Sequence, residues 1–194
     1  MHDIEPYYKW RQYYIAAEDK YSPFYGRQYD EFTYTQKIYN YFIHPQWDNI
    51  GSQTLYAKVL YADYDEGIAC IELIGEWNDC LHNDIMHLKR AVIDNMLKNE
   101  INKFVVFCDN VLVYHGDEDD YYEEWYQDAS DEGGWVTFVN IQDHVMREME
   151  ASGLQYYINI GQQYNDMHWR KASPQKSVEA IEAIMNSSTK QLRY

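Results

Sequence analysis

The segment from Gly67 to Tyr114 constrains the fold most, because it places a helical apolar pattern between two apolar runs. The first run covers residues 68–74 and the second covers 104–108. Between them, apolar side chains recur at steps of four, three, four and four: Leu81, Ile85, Leu88, Val92 and Met96. This spacing predicts a helix that packs one face on a sheet. A strand, a helix and a strand within about fifty residues predict a right-handed βαβ unit.

An antiparallel hairpin is predicted just before this unit. Residues 53–63 read as a strand that presents side chains alternately to its two faces. The acidic turn that follows ends at Gly67, a residue type that readily adopts positive φ. We therefore expect residues 54–62 to pair antiparallel with 68–76, through a loop longer than two residues.

Two helices are predicted after the second core strand, which we place at 103–113. Four aromatic side chains on one helical face predict a helix at 118–130. These are Tyr121, Tyr122, Trp125 and Tyr126. A second apolar stripe predicts a helix from 135 to 152. Its members are Phe138, Ile141, Val145 and Met149.

The remaining elements complete the predicted architecture. Residues 154–160 predict a strand, and Pro174 suits the first position of a last helix that ends near Asn186. The elements together predict an α/β fold with a mixed sheet of about four to six strands. It comprises an N-terminal antiparallel hairpin, a βαβ core and helices packed on the sheet.

The N-terminal third is rich in tyrosine, since residues 1–50 hold 10 of the chain's 21 Tyr. Within it, residues 31–43 alternate aromatic and polar side chains and predict a strand or strand pair. We expect residues 1–50 to be an extension packed on an α/β core domain of residues 51–186, with residues 187–194 frayed. Two roles stay open for the tyrosines: packing at the sheet margin with their hydroxyls in water, or forming a dimer or partner surface.

The chain is strongly acidic, with a net charge of −16. Nucleic-acid backbones and anionic membranes attract cationic surfaces, so we expect neither as a partner. The charge suits a basic protein partner, a cation or solubility alone, and the sequence leaves a homo-oligomer open. No apolar run reaches the roughly 18 residues of a membrane span, and the first residues lack signal-peptide regions. Cys70, Cys80 and Cys108 form no CxxC pair and favour a reducing, cytoplasmic compartment.

Several chemical motifs are absent from the sequence. It contains no Gly-x-Gly-x-x-Gly, no P-loop and no Gly-x-Ser-x-Gly. His82 and His87 lie five residues apart, which puts them on different faces of a helix and is poor metal spacing. Residues 117–120 are acidic, but they lack the alternating ligands and the glycine of a calcium loop. We therefore predict no cofactor and no metal.

One region has the composition of a binding site. Ligands of open α/β sheets bind beyond the carboxyl ends of the strands, where this sequence places carboxylates, a histidine and aromatic rings. Such groups can exchange protons, or they can hold a sugar or a cationic ligand. The candidate ligand-binding residues are Glu76, Trp77, Asp109, Tyr114, His115, Asp117, Glu123 and Trp125. Any acidic, aromatic-rich loop contains the same residue types, so we assign no catalytic residue among them.

The order of elements from Ile68 onward resembles the STAS domain, the fold of anti-sigma-factor antagonists and sulfate-transporter tails. The run Ile-Glu-Leu-Ile-Gly-Glu-Trp at 71–77 is similar to the first core strand of that family. The resemblance covers residues 68–186 and implies a regulatory module. Phosphorylated members carry a serine in the loop after the third core strand, whereas here residues 114–119 contain no Ser or Thr. The resemblance therefore implies no phosphoserine switch. The whole chain also resembles bacterial proteins of unassigned function.

Three functions are compatible with these observations. The first is a non-enzymatic protein-interaction or regulatory module of STAS-like type, which uses the acidic loop and helix 118–130, or the Tyr-rich third, as its contact surface. The second is a small-molecule-binding protein or hydrolase that uses Glu76, Asp109, His115 and Asp117. The third is an acidic protein that imitates nucleic acid and occupies a basic partner.

Overall fold

The computed structural model describes residues 4–191, and the side chains of its last helix are described through residue 187. The central feature is a five-stranded mixed sheet in the order β3-β4-β5-β6-β7, beside a separate two-stranded pair β1-β2. The strands are β1 Lys37–Ile38, β2 Tyr41–Phe42, β3 Asp48–Asn49, β4 Leu55–Asp63, β5 Ile68–Asn78, β6 Lys103–His115 and β7 Trp135–Val139. The predicted α/β class, with its mixed sheet, is confirmed.

The pairing of the central strands follows the sequence prediction. β4 and β5 pair antiparallel as a hairpin, and β5 and β6 pair parallel across the βαβ unit. Gly75 in β5 has φ +125°, and a Cβ built there would lie 1.9 Å from the carbonyl oxygen of Thr54. Because a backbone approach this close excludes any side chain, only glycine fits at this position of the strand.

The helix predicted between β5 and β6 is present but interrupted. Its parts are α1 Asp79–His82, α2 Asp84–Leu88, a π-helical turn Lys89–Ile93 and α3 Asp94–Leu97. Asn83 breaks the helix with a left-handed conformation at φ 49°. The break turns Leu81 out of the predicted apolar stripe, so that it is 76% exposed, whereas the other four stripe residues are buried.

The predicted helix at 135–152 is wrong in its first half. Trp135–Val139 forms β7, parallel to β6, and the helix α5 begins only at Asp143 and ends at Ala151. Phe138 and Val139 point to opposite sides of the sheet, into different apolar clusters. The run is rich in β-branched and aromatic residues, which favour strands, and its spacing of three and four misleadingly matched a helix.

The predicted strand at 154–160 is also wrong. Leu154–Tyr156 is a 3-10 helix, and the segment meets the sheet through a single parallel bridge between Asn159 and Thr137. Its buried apolar side chains all pack into the apolar cluster that contains Phe138, instead of alternating between two faces of a sheet. The pattern of buried residues alone did not distinguish these geometries.

Two further helices complete the chain, α4 at Asp120–Asp131 and α6 at Pro174–Gln191. The first confirms the helix predicted at 118–130. The last helix is described five residues beyond its predicted end, although residues 192–194 lie outside the described part of the chain. Fraying over 187–194 therefore stays a prediction. Among residues 4–191, no helix combines the length and apolarity needed to cross a bilayer.

The sheet buries both of its faces. On the helix-side face, β-strand residues pack against α2, the π-helical turn, α4 and α5. On the opposite face they pack against the N-terminal segment, through Trp10, and against α6, through Val178 and Ile181. A smaller cluster around Trp47 continues that second layer. Cys70 and Cys108 are both buried, one on each face, as small apolar fillers.

The tyrosines of the N-terminal segment are all exposed or partly buried. Of the ten Tyr in residues 1–50, six are exposed and four are partly buried. Their apolar neighbours Trp10, Phe24 and Trp47 are buried and anchor the segment on the sheet. The predicted strand pair at 31–43 is present only as the short hairpin of β1 and β2.

Candidate functional site

Three of the predicted site residues lie in the apolar core. Trp77, Tyr114 and Trp125 are at most 1% exposed. The Trp77 ring stacks on that of Tyr122, and the edge of Trp125 meets Phe104. Their side chains stabilise the packing of α4 on the sheet and do not reach a cavity wall.

The other five predicted residues are divided among separate places. Glu76 accepts a hydrogen bond from the Tyr39 hydroxyl, which raises the pKa of Tyr39 to about 12. Glu123 is exposed on α4 and accepts from the Gln127 amide at 2.9 Å. Asp109 lies in a cavity wall, whereas His115 and Asp117 are exposed at the end of β6. The structure therefore does not assemble Glu76, Asp109, His115 and Asp117 in one site.

The cavity at Asp109 lies beyond the carboxyl end of β7 and has a volume of about 670 Å³. Its wall also includes residues 140–143 and 165–171. Both Asp109 carboxylate oxygens have donors: Arg170 Nη1 at 2.7 Å, Trp169 Nε1 at 3.1 Å and Asn140 Nδ2 at 3.2 Å. The carboxylate is thus occupied by protein donors and is poorly placed to take a proton from a substrate.

Arg170 links this cavity to a buried carboxylate on β5. Its Nη2 donates to Glu72 at 2.7 Å, and Glu72 is 1% exposed. Glu72 also accepts from the backbone N–H of Tyr7 at 2.8 Å, which joins the N-terminal segment to the sheet. Burial raises the pKa of Glu72, and the Tyr7 amide and the Arg170 guanidinium oppose that rise. We call Glu72, Asp109 and Arg170 the Arg170 cluster.

A second group of residues forms an acidic face beyond β5 and β6. It comprises the exposed Leu81 of α1 and the side chains of Asp117, Glu118 and Asp120. Cys80 Sγ lies 2.8 Å from the carbonyl oxygen of Gly116, which brings α1 against the loop after β6. A concavity of about 70 Å³ lies between them, lined by the three acids and by Asp79, Asn83 and Tyr121. No ion pair is found for these three acids among the described residues.

Beneath this face, Asp79 holds the interrupted helix in place. Its Oδ1 accepts from the backbone N–H of Ile85 at 2.8 Å and from Trp77 Nε1 at 3.1 Å. Its Oδ2 accepts from the Tyr122 hydroxyl at 2.6 Å. Burial raises the pKa of Asp79 to about 6, and the nearby charge of Asp84 adds to the rise. We call Asp79, Trp77 and Tyr122 the Asp79 cluster.

One group of carboxylates lies close enough together to hold a metal ion, among the residues that the structure describes. Asp94, Glu124 and Asp128 place one oxygen each within 4.8 Å of one another. The fully buried ammonium of Lys89 contacts all three, at 3.1 Å for Glu124 and 2.9 Å for Asp128. A cation is therefore already supplied by the chain, which makes these residues an unfavourable metal site.

Three features of these sites were missed in the sequence. Glu72 stood out as a lone charge within an apolar run, a pattern that indicates a buried ion pair. Arg170 and Trp169 lay between the predicted strand at 154–160 and the last predicted helix, where the sequence indicated no element. Leu81 fitted an apolar stripe, and nothing local distinguished it except the flanking asparagine at 83, which tolerates a left-handed conformation.

Comparisons with known proteins give a likeness in structure. No protein-family model and no curated protein match the chain. A solved structure of a candidate anti-sigma factor antagonist from Thermotoga maritima is similar over 66% of this chain and 92% of that chain. The sequence identity is 17% and the TM-score is 0.43. The match agrees with the weak STAS-like resemblance of residues 68–186, and at this similarity it carries no information about function.

Proposed function

We propose that this protein is a non-enzymatic interaction module that binds a basic protein partner through the acidic face. The observation that carries the proposal is Leu81, a large apolar side chain that is 76% exposed. The helix that carries it, α1, contacts the loop after β6 through Cys80. No ion pair is found among the described residues for Asp117, Glu118 and Asp120, which follow in and after that loop. Interfaces commonly combine an apolar centre with a charged rim, and rim charges speed association with a partner of opposite charge.

The chemistry of the loop supports a partner that needs no phosphorylation signal. Residues 114–119 contain no Ser or Thr, and three carboxylates at 117–119 supply permanent negative charge instead. The STAS-like order of residues 68–186 is consistent with a regulatory role of this kind. A partner segment with Lys or Arg around one apolar residue would complement this face.

A capture experiment with two matched variants tests the proposal. Leu81→Ser removes the apolar centre of the acidic face, whereas Phe32→Ser alters a side chain that is 94% exposed in the N-terminal segment. We expect the wild type and Phe32→Ser to retain a stoichiometric basic partner from cell extract, and Leu81→Ser to lose it. Loss with Phe32→Ser alone would move the contact surface to the Tyr-rich segment. A monomeric protein that captures no partner would reject the proposal.

The same experiment separates the nucleic-acid mimic from an ordinary interaction module. A mimic would capture a protein that binds nucleic acid, and added duplex DNA would compete for it. A partner that is insensitive to DNA would favour the interaction module without mimicry.

A second candidate function is small-molecule binding in the Asp109 cavity. Its volume of about 670 Å³ lies within the range of small-molecule sites, and it opens beyond the end of a parallel strand. His168 stands in its wall, whereas the predicted His115 does not. Binding is favoured over hydrolysis because the Asp109 oxygens are occupied. A thermal-shift screen of polar metabolites tests this function, and loss of any shift in His168→Ala would place the ligand there.

A further inference from the structure

A smaller cavity beside β4 differs in charge from four other cavities of the described chain. It lies between residues 6–17 and β4 and has a volume of about 200 Å³. Apolar and aromatic side chains form most of its wall, among them Tyr14, Ile15, Val59 and Leu60. The charged residues of the wall are two cations, Arg11 and Lys58, and no acid.

This balance is opposite to that of the whole chain, which has a net charge of −16. In four other cavities of the described chain, two or more acidic side chains line the wall. Two cations around an apolar cavity concentrate positive potential where water is scarce, and this strengthens their attraction for an anion.

The Lys58 ammonium has a donor to spare. The side chain is 11% exposed, and Nζ donates to Asp48 at 3.0 Å and lies 3.9 Å from the centre of the Tyr29 ring. An ammonium group has three N–H donors, so one remains after these two contacts. The charge of Asp48 is also shared with Arg27, which contacts it at 3.0 Å.

Arg11 supplies the second cation. Its guanidinium is 40% exposed and pairs with Glu5 at 3.6 Å, longer than a strong charge-assisted hydrogen bond. A guanidinium held this loosely can reorient toward a ligand carboxylate, which it binds well through two parallel N–H donors.

We propose that this cavity binds a small organic monoanion that has one carboxylate and an apolar body. The carboxylate accepts hydrogen bonds from Lys58 and Arg11, and the apolar body packs along Val59 and Leu60. The cavity is smaller than the roughly 300–1,000 Å³ of drug-sized sites, so ligands of the size of hexanoate or phenylacetate fit. The proposal is independent of the acidic face.

The test compares each acid with its neutral amide on the full chain. Phenylacetate and hexanoate are titrated into ¹⁵N-labelled protein, with phenylacetamide and hexanamide as controls of the same shape. We expect the two acids to shift the backbone N–H signals of Val59, Leu60 and Ile15. Phenylacetamide and hexanamide should bind at least about tenfold more weakly, because they lose the charge-assisted hydrogen bonds. The signals of Asn165, in the Asp109 cavity, stay unchanged.

Two variants locate the anion. Lys58→Met removes the buried cation, while Asp48 keeps Arg27 and the Tyr29 hydroxyl at 2.6 Å. Arg11→Gln removes the exposed cation without disturbing Asp48. Both variants should still unfold cooperatively, Lys58→Met at a lower temperature because the buried Asp48 loses one of its two cations. Both should bind phenylacetate about tenfold more weakly. Equal binding of acid and amide, wild-type affinity in Arg11→Gln, or no binding at millimolar concentration would each overturn the proposal.

Discussion

The Arg170 cluster and the Asp79 cluster both bury carboxylates, and they stabilise the buried charge in different ways. In the first, Glu72 and Asp109 share a guanidinium that contacts each at 2.7 Å. In the second, Asp79 has only neutral donors: an indole, a hydroxyl and a backbone amide. Burial raises the pKa of Asp79, and its neutral donors lower the pKa by less than burial raises it, so Asp79 retains a proton to higher pH than an ordinary aspartate.

The difference teaches where each part of the fold obtains its stability. The Arg170 cluster joins four segments that are far apart in sequence, including the N-terminal segment through Tyr7. The Asp79 cluster joins the interrupted helix to α4 beneath the acidic face. Removal of its cation should therefore destabilise the Arg170 cluster, whereas the stability that the Asp79 cluster contributes should depend on pH.

The largest effect is expected from Arg170→Met. It leaves two carboxylates without their cation, and breaking a buried ion pair typically costs about 3–5 kcal/mol. The value should fall in the lower part of that range at pH 8, because the Arg170 side chain is 40% exposed and water can approach it. At pH 5 the loss should be smaller, because the unpaired Glu72, whose pKa rises further, takes up a proton. Urea unfolding followed by Trp fluorescence measures both values.

Lys171→Met is the matched control for that prediction. Lys171 is the exposed neighbour of Arg170, and no ion pair is found for it among the described residues. We expect its free energy of unfolding to stay within about 0.5 kcal/mol of the wild type. An Arg170→Met protein as stable as this control would show that the cluster contributes nothing.

The next largest effect is expected from Asp79→Asn, and it is a gain. The folded-state pKa of Asp79 is about 6 against an ordinary value of 3.8, so the folded protein binds this proton more tightly than the unfolded chain. Ionisation therefore destabilises the wild type as pH rises through this window, by about 3 kcal/mol in total. Asparagine does not ionise, so the variant's advantage over the wild type should grow by about 2–3 kcal/mol from pH 4 to pH 8.

Asp117→Asn is the control, since Asp117 is an exposed acid on the same face. Its free energy of unfolding should stay within about 0.5 kcal/mol of the wild type. If the difference in unfolding free energy between Asp79→Asn and the wild type were the same at pH 4 and pH 8, Asp79 would titrate like an ordinary aspartate. The contrast between the two clusters would then disappear.

Sequence reasoning found the parts of the fold whose signals are local. The hairpin and the βαβ unit follow from apolar runs and a helical stripe, and both are confirmed. The Arg170 cluster could not be found in this way, because Glu72 and Arg170 are 98 residues apart. Of the candidate site residues, Asp109 lies in a cavity wall and Asp117 on the acidic face. From the sequence alone, Trp77 suits an aromatic binding site as well as it suits the core. Only the tertiary packing shows that it lies in the core.

The smallest effect is expected from Tyr122→Phe, which removes one neutral donor from Asp79. At pH 8 the carboxylate is ionised and loses a hydrogen bond to a charged group, worth about 1.5–3 kcal/mol. At pH 5 it is protonated and loses a weaker bond of about 1 kcal/mol. Tyr126→Phe, four residues further along α4 on an exposed ring, should change the unfolding free energy by less than about 0.5 kcal/mol at either pH. A Tyr122→Phe cost that is the same at both pH values would mean that Asp79 does not change charge between them.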